Sequence, residues 1–225
     1  MVSPARIARR AYRQVEGIAV GVSSHSIRGD ALMASVKLGG GGWQTADDLS
    51  RLGAGAVVSE AALERVVLVE RGRLRPGPVP GEGALERLAR EVEDEPKPMK
   101  IEQWLRGAAP WAQHVIGEEL EAAGQARLVW KRFLKVFLRQ PYLEILDQRA
   151  QDEAYRLVRE TLAGNQATMP EAALLTALAG SLRHHEGMER RRLDRRKREL
   201  QASLPDEVQV VLQTYGKWRR YGPPE

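Results

Sequence analysis

Basic side chains are concentrated in one short segment near the C-terminal end of the chain, at 190–198. On a helix, the i, i+4 pairs Arg191–Arg195 and Arg192–Arg196 would form a continuous positive ridge. Each cation close to an anionic leaflet contributes about 1 kcal/mol of binding free energy, and such a ridge would also suit nucleic-acid phosphates. The alternative is a solvated helix face whose charge is offset by the acidic residues within the segment.

The residue types that carry most enzyme chemistry are absent or unsuitably spaced. The chain has no cysteine, which excludes disulfides and thiolate ligands. His184 and His185 are adjacent, so on a helix they point about 100° apart and cannot chelate one ion as an i, i+4 pair would. No Gly-x-Ser-x-Gly elbow, Walker loop or dinucleotide fingerprint is found. The sequence therefore predicts no metal site, no cofactor and no catalytic residue, and we expect the protein not to be an enzyme.

Three glutamates, Glu118, Glu119 and Glu121, are the densest group of carboxylates on a predicted helix. Acid–base catalysis would need two carboxyl groups in unlike environments. These three lie on or beside the polar face of the helix, so we expect them to be solvated.

The net charge of +5 is small but unevenly distributed. Residues 1–38 contain six basic and two acidic side chains, and residues 187–225 contain ten basic and six acidic side chains, so each end has a net charge of +4. Basic ends on a near-neutral body favour contact with an anionic surface, either lipid or nucleic acid, although solubility alone is an alternative. No stretch approaches the roughly 20 apolar residues needed to cross a bilayer, and no secretory signal is recognised. We therefore expect a cytoplasmic protein that is peripheral to the inner face of the membrane.

The elements that position these residues are mostly helices. Helices are predicted at 3–15, at 47–63, at 83–92 and in a short segment that ends near Leu105. Further helices are predicted from Trp111 to Ala123, around 154–162, from Pro170 to Leu182, at 189–200 and at 206–215. Weak alternation within 17–38 allows strands. Hairpins are predicted around Arg71 and Gly72 and at 128–138, where Pro141 would end the second one.

These elements predict a mainly α fold, a helical bundle with surrounding amphipathic helices and a small β-hairpin. We divide the chain into an N-terminal segment, 1–42, without an assigned fold, and a helical domain, 43–225.

The order of features from residue 55 to about residue 200 resembles the Golgi phosphoprotein 3 family, in its bacterial branch. The segments that carry the resemblance are a helix and strand at 55–74, a Gly-rich loop and helix at 80–86, Trp104 with Leu105 before a helix, a helix ending in glycine and a strand at 115–128, and a Pro-initiated helix at 170–182. No single motif is specific, whereas the ordered series is.

The resemblance implies a non-catalytic protein that binds phosphatidylinositol 4-phosphate in a shallow basic pocket. Trp43 and Arg51 are similar to the family's headgroup-binding tryptophan and arginine. The family's two basic helix residues fall on Pro110 and Gln113, and His114 is the nearest substitute. The resemblance also implies self-association through the hairpin at 128–138.

Two other functions compete with this interpretation. The first is a protein–protein adaptor that kept the helical bundle and lost lipid recognition. The second is a winged-helix-like nucleic-acid binder, because the basic hairpin at 128–138 follows a helix. The carboxylates of Glu118, Glu119 and Glu121 on that helix would repel a phosphate backbone, which argues against the second.

Overall fold

The computed structural model describes residues 26–38, 46–132, 139–164, 169–179 and 190–221. Within these ranges the chain forms eight helices and two separate two-stranded antiparallel sheets. The helices are α1 (Ile27–Leu38), α2 (Ala46–Leu63), α3 (Ala84–Asp94), α4 (Ile101–Ala122), α5 (Gln148–Ala163), α6 (Pro170–Ala179), α7 (Arg190–Ala202) and α8 (Asp206–Tyr221). The strands are β1 (Val67–Glu70), β2 (Arg73–Pro76), β3 (Ala126–Arg132) and β4 (Arg139–Ile145).

Helix α2 lies at the centre of the bundle. Every residue from 52 to 62 is buried, and a helix that is apolar on all sides must be surrounded by other elements. Helices α1, α4 and α8 pack around it. Two glycines allow the closest approaches: a Cβ on Gly53 would lie 3.1 Å from the backbone nitrogen of Gln113 in α4, and one on Gly55 would lie 2.6 Å from the ring of Tyr215 in α8.

Helix α1 corrects the expectation that residues 17–38 form strands. Residues 27–38 are helical, and the four consecutive residues Ala31, Leu32, Met33 and Ala34 are all buried. They are buried because α2, α5 and α6 contact α1 from different sides. Burial on several sides removes the apolar–polar period by which a helix is recognised in a sequence.

Helix α4 is a single helix of 22 residues, so the prediction of a short helix ending near Leu105 was wrong. Pro110 is exposed and lies inside α4. Its missing N–H removes only one helical hydrogen bond, while apolar residues on both sides of it, such as Leu105 and Ile116, are fully buried. Packing therefore continues the helix past the proline.

The predicted end of α4 at Gly124 is confirmed. Gly124 has φ +70°, its N–H donates to Glu121 O at 2.9 Å, and the N–H of Gln125 donates to Leu120 O at 2.9 Å. These two bonds are those of a Schellman motif, which requires a left-handed residue after the helix.

The hairpin around Arg71 and Gly72 is confirmed, since β1 and β2 pair with those two residues as the turn. The second hairpin is shifted from its prediction: β3 pairs with β4, and Pro141 lies within β4 opposite Trp130. Pro141 therefore does not end the hairpin. A proline is tolerated there because both strands of a two-stranded sheet are edge strands.

The remaining helices agree with the sequence to within a few residues, except that α8 continues past Tyr215 to Tyr221. The extension is explained by Trp218, which is buried one turn after Tyr215. The predicted class, a mainly α helical bundle with small hairpins, is confirmed. The predictions for 3–15, for the glycines at 39–42 and for His184 and His185 fall outside the described residues.

Candidate anion-binding surface

Arg51 connects the N-terminal part of α2 to the C-terminal end of α8. Its Nη2 lies 2.8 Å from a carboxylate oxygen of Asp47, one turn earlier on α2. Its Nη1 donates to the backbone carbonyl of Arg219 at 3.1 Å, and its guanidinium carbon lies 5.6 Å from the centroid of the Trp218 ring. A cation at the carbonyl end of a helix interacts favourably with the helix dipole, so Arg51 both stabilises α8 and brings a positive charge to this end of the bundle.

Arg219, whose carbonyl accepts a hydrogen bond from Arg51, also acts on two titratable groups. Burial lowers the pKa of Lys197 in α7; Asp194 opposes the shift and Arg219 adds to it. Burial raises the pKa of Tyr215 to about 12; Arg219 and Arg51 act against that shift and Asp48 adds to it. Arg51 and Arg219 thus both act on Tyr215, and Lys197 is linked to them through Arg219. We call Arg51, Lys197, Tyr215, Trp218 and Arg219 the α2–α8 junction.

The predicted basic ridge lies on α7. Arg191, Arg192 and Arg195 are exposed, as a surface for anions requires. Arg196 is turned inward instead: its Nε donates to Thr161 O in the last turn of α5 at 3.2 Å, and its Nη1 lies 3.3 Å from Glu199. The structure therefore places three of the four predicted ridge residues at the surface and gives Arg196 a packing contact with α5.

Helix α7 accounts for the entire excess of positive charge in the chain. Residues 190–202 contain seven basic and two acidic side chains. The rest of the sequence contains 28 basic and 28 acidic side chains, so its net charge is zero. Helix α7 packs on α8. At 3.6 residues per turn, Lys197 lies on roughly the opposite side of α7 from Arg191, Arg192 and Arg195, so the exposed ridge and the junction are on different sides of this helix.

His114 has different neighbours from Arg51. Its ring stacks on Trp130 in β3, with 5.7 Å between centroids and 22° between planes. Gln113 is buried toward α2, and its Oε1 has no hydrogen-bond partner within the described residues. Trp43 lies outside the described residues, so the proposed grouping of Trp43, Arg51 and His114 stays a prediction.

A buried ion cluster joins α1, α2 and α4. The Nε of Arg28 lies 2.8 Å from Glu119, and its Nη1 lies 3.1 Å from Glu60. Burial alone would lower the pKa of Arg28, but the two glutamates raise it. Burial raises the pKa of Glu60, although Arg28 opposes the shift. The expectation that Glu119 is solvated was therefore wrong, whereas Glu118 and Glu121 are exposed as expected.

Glu119 also caps the N-terminus of helix α3. Its Oε1 accepts a hydrogen bond from the N–H of Ala84 at 2.7 Å, which satisfies one of the donors left unpaired at a helix start. A Cβ on Gly83, which has φ +59°, would lie 1.9 Å from that oxygen. The carboxylate of Glu119 therefore has a structural role, which explains why this side chain is partly buried.

Lys197 lies in the basic segment at 190–198 that the sequence interpretation identified, whereas the candidate residues that it missed are Trp218 and Arg219. Their only local signal is the aromatic and basic run from Trp218 to Arg220. Their association with Arg51 depends on the return of α8 to α2, which separates the interacting residues by 168 positions.

The described residues contain neither a metal-binding cluster nor a membrane-spanning helix. No group of three or more His, Asp or Glu side chains in those ranges is arranged to hold a metal ion. None of the helices in the part of the chain that the structure describes is both long enough and apolar enough to span a bilayer.

The comparisons with known proteins identify the family. The family model for Golgi phosphoprotein 3 (GPP34) matches residues 37–215, well over half of the chain. No curated protein sequence matches the chain significantly. The matched range contains α2 to α7 and all four strands, together with Arg51, Lys197 and Tyr215. The chain therefore belongs to the Golgi phosphoprotein 3 family.

Proposed function

We propose that this protein is a non-catalytic, cytoplasmic peripheral membrane protein that binds anionic phospholipid headgroups at the inner face of the membrane. The observation that carries the proposal is the location of the whole excess of positive charge on α7, whose Arg191, Arg192 and Arg195 are exposed. Family membership supports the same function, and the resemblance suggests phosphatidylinositol 4-phosphate as the headgroup.

The exposed arginines of α7 supply the long-range attraction in this proposal. Arg191, Arg192 and Arg195 project into solvent, and each is worth about 1 kcal/mol near an anionic leaflet. The α2–α8 junction supplies the shorter-range contacts. Arg51 is half-buried and already held by Asp47 and α8, and a pre-ordered guanidinium loses less entropy when it binds a phosphate.

Co-sedimentation with vesicles tests whether the exposed arginines of α7 attract the protein to anionic lipid. Vesicles of phosphatidylcholine alone are compared with vesicles that also contain phosphatidylserine or phosphatidylinositol 4-phosphate at equal surface charge. The ridge variant carries Arg191→Gln, Arg192→Gln and Arg195→Gln. The matched control carries Arg90→Gln, Arg106→Gln and Arg149→Gln, three exposed arginines paired with glutamates on other helices.

We expect the ridge variant to lose about 100-fold in affinity for anionic vesicles, from three cations at about 1 kcal/mol each. The control, whose net charge is the same, should retain most of its binding. Equal losses in both variants, or equal binding of the wild type to neutral and anionic vesicles, would reject the proposal and favour the protein–protein adaptor.

The headgroup preference is tested by substitutions at Arg51 and at Trp43. We expect Arg51→Lys and Trp43→Ala to reduce the preference for phosphatidylinositol 4-phosphate over phosphatidylserine while leaving binding to phosphatidylserine largely intact. An unchanged preference in both variants would exclude the phosphoinositide as the specific ligand.

A further inference from the structure

A second positive surface lies at the β1–β2 hairpin, among residues that the α2–α8 junction does not use. An open cleft of about 710 Å³ is bounded by the hairpin on one side and by the segment before α4 on the other. Its lining residues are Glu70, Arg71, Arg73, Arg75, Lys97 and Pro98. Four of the six are cations and one is an anion, so the lining carries a net charge of +3.

The strand period explains why the arginines share one face. Alternate residues of a strand point to the same side, so Arg73 and Arg75 lie on the side opposite Leu74, which is buried against the core. Arg71 lies in the turn, outside the strand period, and also lines the cleft. The sequence Arg-Gly-Arg-Leu-Arg at 71–75 therefore directs its cations into the cleft while Leu74 anchors the hairpin.

The two walls of the cleft are held together by backbone hydrogen bonds. The N–H of Leu74 donates to Met99 O at 3.2 Å, and the N–H of Ile101 donates to Gly72 O at 3.1 Å. The guanidinium of Arg73 also donates to the carbonyl of Pro98 across the cleft. Because these bonds fix the hairpin to the other wall, the cations are positioned before any ligand binds.

The charge in the cleft is only partly compensated. Arg75 forms an ion pair with Glu70, with 2.7 Å between Nε and the carboxylate. Glu70 is the single carboxylate in the lining and faces three arginines and a lysine. A multiply charged anion would neutralise the remaining cations, and planar guanidinium groups bind phosphate oxygens in pairs.

The backbone conformation of Arg71 is one that long side chains rarely adopt. Arg71 has φ +50° and Gly72 has φ +71°, as the favoured two-residue hairpin turn requires. Asn, Asp and Gly adopt positive φ readily, whereas a long side chain does so at a conformational cost. An arginine at this position is unfavourable for the turn and favourable for the charge of the cleft.

From these observations we propose that the cleft between the β1–β2 hairpin and Lys97–Pro98 binds a small, multiply phosphorylated ligand. The cleft is open to solvent and its lining is mostly cationic, which suits a compact polyanion. The same chemistry is presented by a soluble polyphosphorylated metabolite and by a phosphorylated lipid headgroup. The inference concerns different residues from those of the proposed function and does not rest on it.

Isothermal titration calorimetry with pyrophosphate and inositol hexakisphosphate tests the soluble source, and vesicles of phosphatidylcholine with phosphatidylinositol 4-phosphate test the lipid source. Two variants with the same net charge are compared. The cleft variant carries Arg71→Gln, Arg73→Gln, Arg75→Gln and Lys97→Gln. The control variant carries Arg90→Gln, Arg106→Gln, Arg149→Gln and Arg156→Gln, which are exposed arginines in i, i+4 ion pairs.

We expect the wild type to bind at least one of these phosphorylated probes, the cleft variant to bind it more than tenfold more weakly, and the control to stay within about threefold of the wild type. Binding in calorimetry assigns a soluble ligand, and binding to vesicles alone assigns a headgroup. The proposal is overturned if the wild type binds none of the probes or if the control variant loses as much affinity as the cleft variant.

The single substitution Arg71→Asn separates a binding role from a structural one. Asparagine suits positive φ, so this variant should have a higher urea midpoint than the wild type and a severalfold weaker affinity for the phosphorylated probe. Improved stability with unchanged affinity would contradict the assignment of Arg71 to the site. Because the variant is expected to be more stable, loss of folding cannot explain a loss of binding.

Discussion

The carboxylate of Glu119 accepts hydrogen bonds from the Nε and Nη2 of Arg28 at 2.8 and 3.1 Å, across 91 positions of sequence. The same carboxylate accepts a hydrogen bond from the N–H of Ala84 in the first turn of helix α3. One side chain of α4 therefore holds the position of α1 and the start of α3, and α1 is fastened to the bundle by an ion pair as well as by apolar packing.

Two substitutions at Glu119 should separate these contributions. Glu119→Gln keeps an oxygen that can accept from Ala84 but removes the charge opposite Arg28, and we expect a loss of about 1–3 kcal/mol in the free energy of unfolding. Glu119→Ala removes the cap as well and should cost about 1 kcal/mol more. Urea denaturation measures both. Glu118→Gln, on the exposed neighbour, should change stability by less than about 0.5 kcal/mol, and an equal effect at both positions would refute the role of Glu119.

The close packing of α8 on α2 should make Gly55 intolerant of a side chain. A Cβ at this position would lie 2.6 Å from the Tyr215 ring, and the buried ring has little room to move. We expect Gly55→Ala to cost about 1–3 kcal/mol, as overpacking of a core usually does.

Gly107 provides the control for that substitution, because it also lies within a helix but a Cβ there would meet nothing within 4 Å. Gly107→Ala should therefore stabilise the protein by about 0.5–1 kcal/mol through helix propensity. Denaturation midpoints of the two variants compare the effects directly. Equal shifts of the same sign would show that α8 does not pack as closely on α2 as the structure indicates.

Tyr215 should make the protein less stable at alkaline pH. Its pKa is raised by burial from 10.0 to about 12 in the folded state, so the folded state retains the phenolic proton that the unfolded state releases. This contribution to stability is complete below pH 10 and is lost as the pH rises through 12. At pH 11 the loss should be about 1.4 kcal/mol, one pKa unit in free energy.

Tyr215→Phe should abolish that loss. At neutral pH it should be nearly neutral, because the Tyr215 hydroxyl is buried with no hydrogen-bond partner among the described residues. The measurement is the difference in unfolding free energy between variant and wild type at pH 8 and pH 11. A difference that does not change with pH would mean that the hydroxyl is not buried in the folded protein.

Following the resemblance, we propose that the β3–β4 hairpin mediates association with a second copy of the chain. Trp130 is 51% exposed and Tyr142 is 39% exposed, and exposed aromatic residues are frequent anchors of interfaces. Trp130→Ser with Tyr142→Ser should shift any concentration-dependent dimer to monomer in sedimentation velocity. Met169→Gln, at an exposed apolar residue outside the hairpin, should not. A monomeric wild type at all concentrations would exclude this partner.

Local rules were sufficient where the neighbouring residues decide the conformation. The helix end at Gly124 and the start of α6 at Pro170 follow from backbone preferences that no tertiary contact opposes, and Gly72 marks the β1–β2 turn although Arg71 is unfavourable beside it. The same rules failed at Pro110, where packing on both sides outweighs one missing hydrogen bond, and in α1, where burial on several sides conceals the helical period.

The candidate site also combines features that the local sequence predicts with features that depend on the tertiary fold. The ridge of α7 could be found from spacing alone because its residues lie within nine positions of one another. The inward turn of Arg196 toward α5, the contact of Arg51 with Arg219, and the pairing of Glu119 with Arg28 all join distant parts of the chain. No local pattern contains that information, so these relationships required the fold.

The burial of α2 on all sides has a consequence for how this sequence can vary. Eleven successive positions, 52–62, have no solvent-facing side, and Gly53 and Gly55 leave no space for a methyl group without adjustment of a neighbour. A saturation mutagenesis library should therefore show almost no accepted replacements along this helix, whereas the outer faces of α3 and α5 should accept many. Evolutionary change in this protein would then be confined to the periphery, where the basic surfaces lie.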